Sequence, residues 1–305
     1  MTAQLTLVHA LSPLHAGTGQ GAGVIDLPIA REKATGIPFL PGSSLKGALK
    51  ALCPDDYTRK RIFGADPTDT NPGNDYASPV QFSDQRLLLL PVRSLAGTFA
   101  WVTSPYVLRR LARFVSNLRD ISFSLPTSIP QPPAYDQCYI AGNTSKITFS
   151  QGDHQKIVLE DLDLFPQPED IKDWANWIGL KLFDEVAWQT ILTERLCIIH
   201  DDLFNFLIDT ALEITTRIKL KEDTKTVDTV TGGLWYEEAL PTETVLYGFA
   251  LATPVKAINV TSTDVFNTLT TLTENAVQLG GKATVGRGIC QVRLIANETS
   301  GVTQV

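Results

Sequence analysis

The chain has 305 residues, 43% hydrophobic and 19% charged, room for about two domains of roughly 150 residues or for one with large insertions. That apolar content excludes general disorder, and 21 Gly with 18 Pro give no fibrous signature. The net charge of −7 argues, taken alone, against a nucleic-acid partner, but residues 153–213 hold 14 acidic and 4 basic side chains, so this stretch stands at −10 and the rest of the chain at +3. An acidic block inside a mildly basic body leaves room for a basic groove elsewhere.

In chain order, Leu5–Leu11 reads as a strand rather than a leader segment. A glycine-rich loop follows, Gly17-Thr18-Gly19-Gln20-Gly21-Ala22-Gly23, and then the apolar run Val24–Ile29 interrupted by Asp26. Glycine at this density allows a backbone or a ligand to come close. The turn-rich Thr35–Ser44 ends in good helix-capping residues. Leu45, Ala48, Leu49 and Leu52 then form one helical stripe, with Lys46 and Lys50 off it, one turn apart.

Residues 64–79 have loop composition, and Val80–Pro91 reads as a strand whose Leu87–Leu90 run is buried on both sides. Ser104-Pro105 predicts a capped helix start. Behind it Val107, Leu111, Phe114, Val115 and Leu118 share one face, leaving Arg109, Arg110 and Arg113 on the other. Residues 125–145 are Pro-rich and irregular, 166–181 suggest a short acidic helix, 196–200 a strand, and Asp201/Asp202 the cap of a helix reaching about Leu212.

Alternation over Ile214–Lys221, a polar turn and a return over Thr226–Thr231 predict a two-faced hairpin. Such a ribbon is marginally stable alone and needs support. Trp235 and Tyr236 close this segment, as core packing at its root or as stacking platforms for a base. Thr244–Thr253 reads as a strand and Asp264–Leu279 as a helix. A second glycine loop, Gly280-Gly281-Lys282 to Gly286-Arg287-Gly288, precedes a last strand, Ile289–Ile295. The skeleton suits an α+β fold with a ferredoxin-like (RRM-like, βαββαβ) core and large insertions. Cys53, Cys138, Cys197 and Cys290 form no Cys-x-x-Cys pair, and the four His are scattered. A structural zinc site has no support, and a reducing cytoplasm is the expected setting. No apolar run reaches the ~18 residues of a membrane span, so no membrane partner is expected.

Three segments together carry a resemblance. They are Gly23–Ile29 with Thr35-Gly36-Ile37-Pro38 and Pro41–Gly47; Val80–Ser94 running into Phe99–Pro105; and Val285-Gly286-Arg287-Gly288. They resemble the RAMP superfamily of CRISPR proteins, and within it the repeated backbone subunits of Cmr-type (type III-B) effector complexes. Residues of about 120–200 carry little of the likeness.

The resemblance implies one RAMP domain over residues 1–305. Its core would be about 1–120 and 240–300, with an insertion over about 121–213 and a protruding thumb β-hairpin over about 214–236. It implies copies of the chain stacked as a filament on guide RNA beside other Cmr-type subunits. The single-stranded target RNA would be cut at regular intervals with a divalent ion, Mg2+ or Mn2+. Asp26 holds the position of the cleaving aspartate and metal ligand, and His15 lies in the loop near it. Gly17, Gly19, Gly21, Arg31, Ser43, Ser44, Lys46, Lys50, Lys282 and Arg287 are the expected RNA contacts. A non-catalytic guide-RNA scaffold, with Asp26 merely structural, is the alternative; a metal-free nuclease using His15 as base is a third.

Overall fold

The computed structural model describes residues 2–19, 21, 23–65, 76–118, 123–152, 154–221, 223–224, 226–227 and 233–296. The expected loop 64–79 therefore falls largely outside the described residues, as do Gln20, Ala22 and most of the predicted return at 226–231.

The chain opens with β1 (Thr2–Ala10), β2 (Phe39–Leu40), α1 (Gly42–Ala51) and α2 (Asp56–Phe63). Next come β3 (Val80–Phe82), β4 (Gln85–Arg93), β5 (Phe99–Thr103) and α3 (Pro105–Asn117). The middle of the chain forms β6 (Gln137–Ile140), β7 (Phe149–Gln151), β8 (His154–Leu159), β9 (Leu162–Asp170), α4 (Lys172–Leu182), α5 (Val186–Arg195), β10 (Leu196–Ile199) and α6 (Asp201–Thr210). The last third holds β11 (Glu213–Ile218), β12 (Leu234–Ala239), β13 (Val245–Ala252), α7 (Ser262–Leu272), β14 (Val277–Gln278) and β15 (Ile289–Ile295).

Thirteen of these strands join one mixed sheet in the order β14-β15-β1-β13-β4-β5-β10-β6-β9-β8-β7, with β2 on β4 and β3 on β13. β1 lies between β13 and β15, antiparallel to both. The middle of the chain continues the same sheet, because β10 pairs parallel with β5 and antiparallel with β6. Leu87, Leu88, Leu89 and Leu90 are all buried, as a continuous apolar run requires. α3 begins as its sequence dictates, with Ser104 Oγ accepting the Val107 N–H and Pro105 in the first turn. It buries Val107, Leu108, Leu111 and Val115. Phe114 meets Phe249 of the sheet edge-on, centroids 4.7 Å apart.

Some boundaries differ from the expectation. The helix expected over 264–279 starts at Ser262, behind a capping box of Thr261 and Asp264, and ends at Leu272. Beyond it β14 pairs with β15 instead of extending the helix. α6 is capped by the His200 ring, which accepts the Asp202 N–H; Asp201 and Asp202 sit in its first turn. The residues 166–170 belong to β9, not to α4. Cys138 and Cys197, 59 positions apart in sequence, come together on β6 and β10. The Cys138 thiol beside it, together with burial, pushes the Cys197 thiol well above its usual range.

The ribbon differs most. β11 pairs with β12, Glu213 opposite Ala239 and Ile218 opposite Leu234, so the returning strand lies later than Thr226–Thr231. Among those residues, Val227 makes an isolated bridge to Leu220. The alternation is present, with the apolar face outward. Ile214 (52%), Ile218 (50%) and Leu234 (53%) face solvent, while the polar face carrying Thr215, Arg217 and Glu237 meets the rest of the protein through Arg287 and Lys282.

Candidate functional site

The segment Leu14–Ala30 folds back on itself and lies along β12. Ala30 N–H donates to Ala16 O (2.8 Å) and Thr18 N–H to Pro28 O (3.3 Å), closing the glycine-rich loop. Leu14 and Leu240 exchange both backbone bonds, Leu27 N–H donates to Tyr236 O (3.1 Å), and Glu238 N–H donates to Leu27 O (3.1 Å). The N–H and C=O of one residue point to the same edge of a strand, and residues two apart share that edge. One edge of β12 is thus given to β11 and the other to this loop.

Asp26 is held at that edge and faces solvent. Its Oδ2 accepts the Tyr236 N–H at 2.8 Å, and its backbone oxygen accepts the Gly21 N–H at 2.9 Å. His15, by contrast, is buried, and its Nδ1 lies 2.7 Å from Glu238 O. A carbonyl oxygen only accepts, so Nδ1 carries the proton and Nε2 is the acceptor whenever the ring is uncharged. A Cβ at position 17 would stand 2.5 Å from that Nε2, so Gly17 is what leaves the ring its space. The anchors of Asp26 and His15 on β12 are two residues apart, about 7 Å along a strand.

The second glycine loop closes the other side. Gly281 N–H donates to His15 O at 2.9 Å. Gly280 sits at φ +69°, where a Cβ would be 2.4 Å from the same oxygen. The loop then presents Lys282, whose Nζ is 2.8 Å from Glu237 Oε1. Glu237 is almost wholly buried and also accepts from Trp235 Nε1 (2.8 Å) and Arg217 Nε (3.3 Å). Burial alone would raise its carboxyl, but the Lys282 ammonium, the Trp235 N–H and the Arg217 guanidinium outweigh it and hold the group down at about 2. Glu238 points to the opposite face, where its carboxylate takes the Ile29 N–H (2.9 Å) and Arg31 Nη2 (2.8 Å).

Sequence reasoning missed these two glutamates. A signal was available: consecutive carboxylates beside Trp235 and Tyr236 in a short strand must be paired if they are buried.

The structure thus gathers Asp26, His15, Gly17, Gly21 and Lys282 around β12. Gly19 is exposed in the same loop. Arg287 is buried, with Nη2 on Thr215 Oγ1 (2.8 Å), tying the late loop to the hairpin. Arg31 is engaged by Gly36 O, Asp209, Ile208 O and Glu238.

Ser43, Ser44, Lys46 and Lys50 stand apart on α1. The first N–H of that helix, at Gly42, is given to Asp84 Oδ1 (2.9 Å), so the positive end of α1 already faces a carboxylate. Lys46 Nζ turns back to Ser78 Oγ (2.8 Å) and Val80 O (3.2 Å), and burial together with Lys50 lowers its ammonium from the usual range. Lys50 Nζ reaches Gly64 O at 3.4 Å.

The described residues contain no group of three or more His, Cys, Asp or Glu able to cage a metal ion. Asp26 fits a divalent ion as a single ligand, because its carboxylate is exposed and takes one protein N–H. Mg2+ commonly binds through one or two carboxylates and completes its shell with water and phosphate oxygens.

A family profile described as the RAMP superfamily matches residues 7–291. The "CRISPR system Cmr endoribonuclease Cmr4" of Pyrococcus furiosus is 34% identical over 311 residues, covering 99% of both chains. The "CRISPR system CMR subunit Cmr4" of Saccharolobus solfataricus is 26% identical, covering 94% of each. Among solved structures, oligomeric Cmr4 from Pyrococcus furiosus superposes with a TM-score of 0.69 at 27% identity, covering 96% of this chain and 98% of that one. A chain of the type III-B Cmr-beta complex bound to cognate target RNA shares the fold, with a TM-score of 0.72 at 24% identity over 96% of this chain and 97% of that one. No described helix is long and apolar enough to cross a membrane. With matches that run nearly end to end and a mixed-sheet α+β architecture common to the solved relatives, the chain belongs to the RAMP superfamily and, within it, to the Cmr4 family of CRISPR proteins.

Proposed function

We propose that this chain is the repeated backbone subunit of a type III-B CRISPR effector complex and the endoribonuclease that cuts target RNA within it, with Asp26 as the cleaving residue. One observation carries the reading: an exposed carboxylate is fixed by a backbone N–H to the second strand of the β11–β12 ribbon. The thumb and the cleaving group are thereby one mechanical unit. An RNA strand parted by the hairpin meets Asp26 at the hairpin's root. The solvent-facing Ile214, Ile218 and Leu234 support this, since an exposed apolar ribbon face marks a macromolecular contact. The partners are guide RNA, single-stranded target RNA, further copies of the chain in a filament and other Cmr-type subunits, in the cytoplasm. The core is read as ferredoxin-like: β1, β4, β13 and β15, with α1 and α7 as crossovers, stand in the antiparallel order β15-β1-β13-β4.

In the cleavage proposed, the 2′-oxygen of the flipped nucleotide bonds to the neighbouring phosphorus as the P–O5′ bond breaks. The hydroxyl proton leaves to a base, and the departing 5′-oxygen takes a proton from water. Asp26 and His15 Nε2 are the acceptors this chain offers for the first proton. Asp26 would hold Mg2+ or Mn2+, which when bound neutralises phosphate charge. Lys282, on the loop that bonds to His15, would supply positive charge for the backbone of the RNA.

The test is Asp26→Asn in the complex assembled on guide RNA. The single-turnover cleavage rate should fall at least about a hundredfold, with target affinity within about twofold. Cutting at the unmodified rate would remove Asp26 as the cleaving residue.

A further inference from the structure

Glu238 makes more contacts to the cleavage loop than any role as a surface acid would need. We propose that it is the positioning residue of Asp26, acting through Ile29 and Arg31; this rests on the reading of Asp26 as the cleaving group. Its side chain is 8% exposed. Oε2 accepts the N–H of Ile29, three residues past Asp26, at 2.9 Å, and Oε1 accepts Arg31 Nη2 at 2.8 Å. Its backbone N–H donates to Leu27 O, one residue past Asp26. Its backbone oxygen accepts His15 Nδ1. One residue of β12 therefore sets the place of the loop carrying the carboxylate and the tautomer of the imidazole.

The backbone bonds persist whatever side chain stands at 238, so the side chain's own share can be isolated. Without the carboxylate, the Ile29 N–H and Arg31 lose a buried acceptor, and the stretch from Asp26 to Arg31 loses its side-chain anchor. Arg31 keeps Asp209, Gly36 O and Ile208 O. The fold about it is thus held independently, while the loop ahead of it keeps its backbone bonds to Tyr236, Glu238, Ala16 and Thr18 but loses the acceptor that fixes the Ile29 N–H. Misplacing a reacting group by about 1 Å can cost about a hundredfold in rate.

The experiment compares Glu238→Ala, Glu238→Gln and Asp26→Asn in complexes assembled on guide RNA. Glu238→Ala should lower the single-turnover rate at saturating target at least tenfold, with target affinity within about threefold. Glu238→Gln, which keeps one oxygen for the Ile29 N–H, should recover part of that rate. In amide hydrogen exchange, the peptide spanning residues 24–30 should exchange faster in Glu238→Ala while β1 keeps its protection. An unchanged rate in Glu238→Ala overturns the proposal. So does a rate loss accompanied by faster exchange throughout β1, since that would be general loosening. If Asp26→Asn cuts normally, the reading of Asp26 fails instead, and the exchange of residues 24–30 still reports whether Glu238 anchors the loop.

Discussion

Replacing Glu237 with Gln should cost this chain much of its stability at neutral pH and almost none in strong acid. In the folded protein the Glu237 carboxyl is held at about 2, against an ordinary 4.5, which corresponds to about 3 kcal/mol. A carboxyl depressed by folding stabilises fully above its unfolded value. That contribution declines as the pH falls below about 4.5 and is gone below about 2. Gln keeps the shape and an acceptor oxygen but loses the charge facing Lys282 and Arg217. At roughly 2 °C per kcal/mol for a chain of this size, the melting temperature at pH 7 should drop by about 6 °C. The gap between the two proteins should narrow steadily between pH 4.5 and pH 3. Thermal unfolding of both proteins across pH 3–7 measures it. A Gln variant melting within 1 °C of the parent at pH 7, or a gap that stays constant down to pH 3, would refute the reasoning.

Two further outcomes follow from the same geometry. Gly280→Ala places a Cβ in a left-handed conformation, 2.4 Å from the His15 carbonyl; it should destabilise by about 2 kcal/mol or more and abolish target cutting, and a melting point equal to the parent's would contradict this. Cys138, Cys197 and Cys290 are fully buried, and burial pushes the Cys290 thiol up to about 12; an exposure-dependent thiol reagent should therefore modify Cys53 alone in the native protein and all four thiols after denaturation, and rapid native labelling of Cys138 or Cys197 would show that β6 and β10 open.

Much of the sheet was legible because its strands are unambiguous patterns. Leu87–Leu90 and Ile289–Ile295 reappear as β4 and β15, and the Ser104-Pro105 start of α3 is where its chemistry places it. The return strand was missed for a physical reason. β12 reads Leu-Trp-Tyr-Glu-Glu-Ala, and two carboxylates side by side break the polar-apolar period that identifies a ribbon. They are tolerated because each finds cations and N–H donors on a different face, Glu237 from Lys282 and Arg217, Glu238 from Arg31 and Ile29. Those partners lie between 20 and 209 positions away, so no local pattern contains them.

The same long-range pairing decides how the basic residues divide. From sequence, Arg31, Lys46, Lys50, Lys282 and Arg287 look alike, each a cation near a glycine or a helix start. In the fold, the guanidinium of Arg31 has four protein acceptors, and Lys46 is turned toward Ser78 and Val80. A phosphate would have to displace those partners before it gained anything. Lys282 differs: among the described residues its carboxylate partner is Glu237, which is shared with Arg217 and Trp235, and it lies on the loop that bonds to His15. A phosphate arriving beside Asp26 could take Lys282 while Arg217 and Trp235 keep Glu237 paired, so the buried carboxylate is never left alone. On the proposed reading of Asp26, that redundancy makes Lys282, rather than Lys46 or Lys50 of α1, the cation that a phosphate would release from its protein partner at least cost.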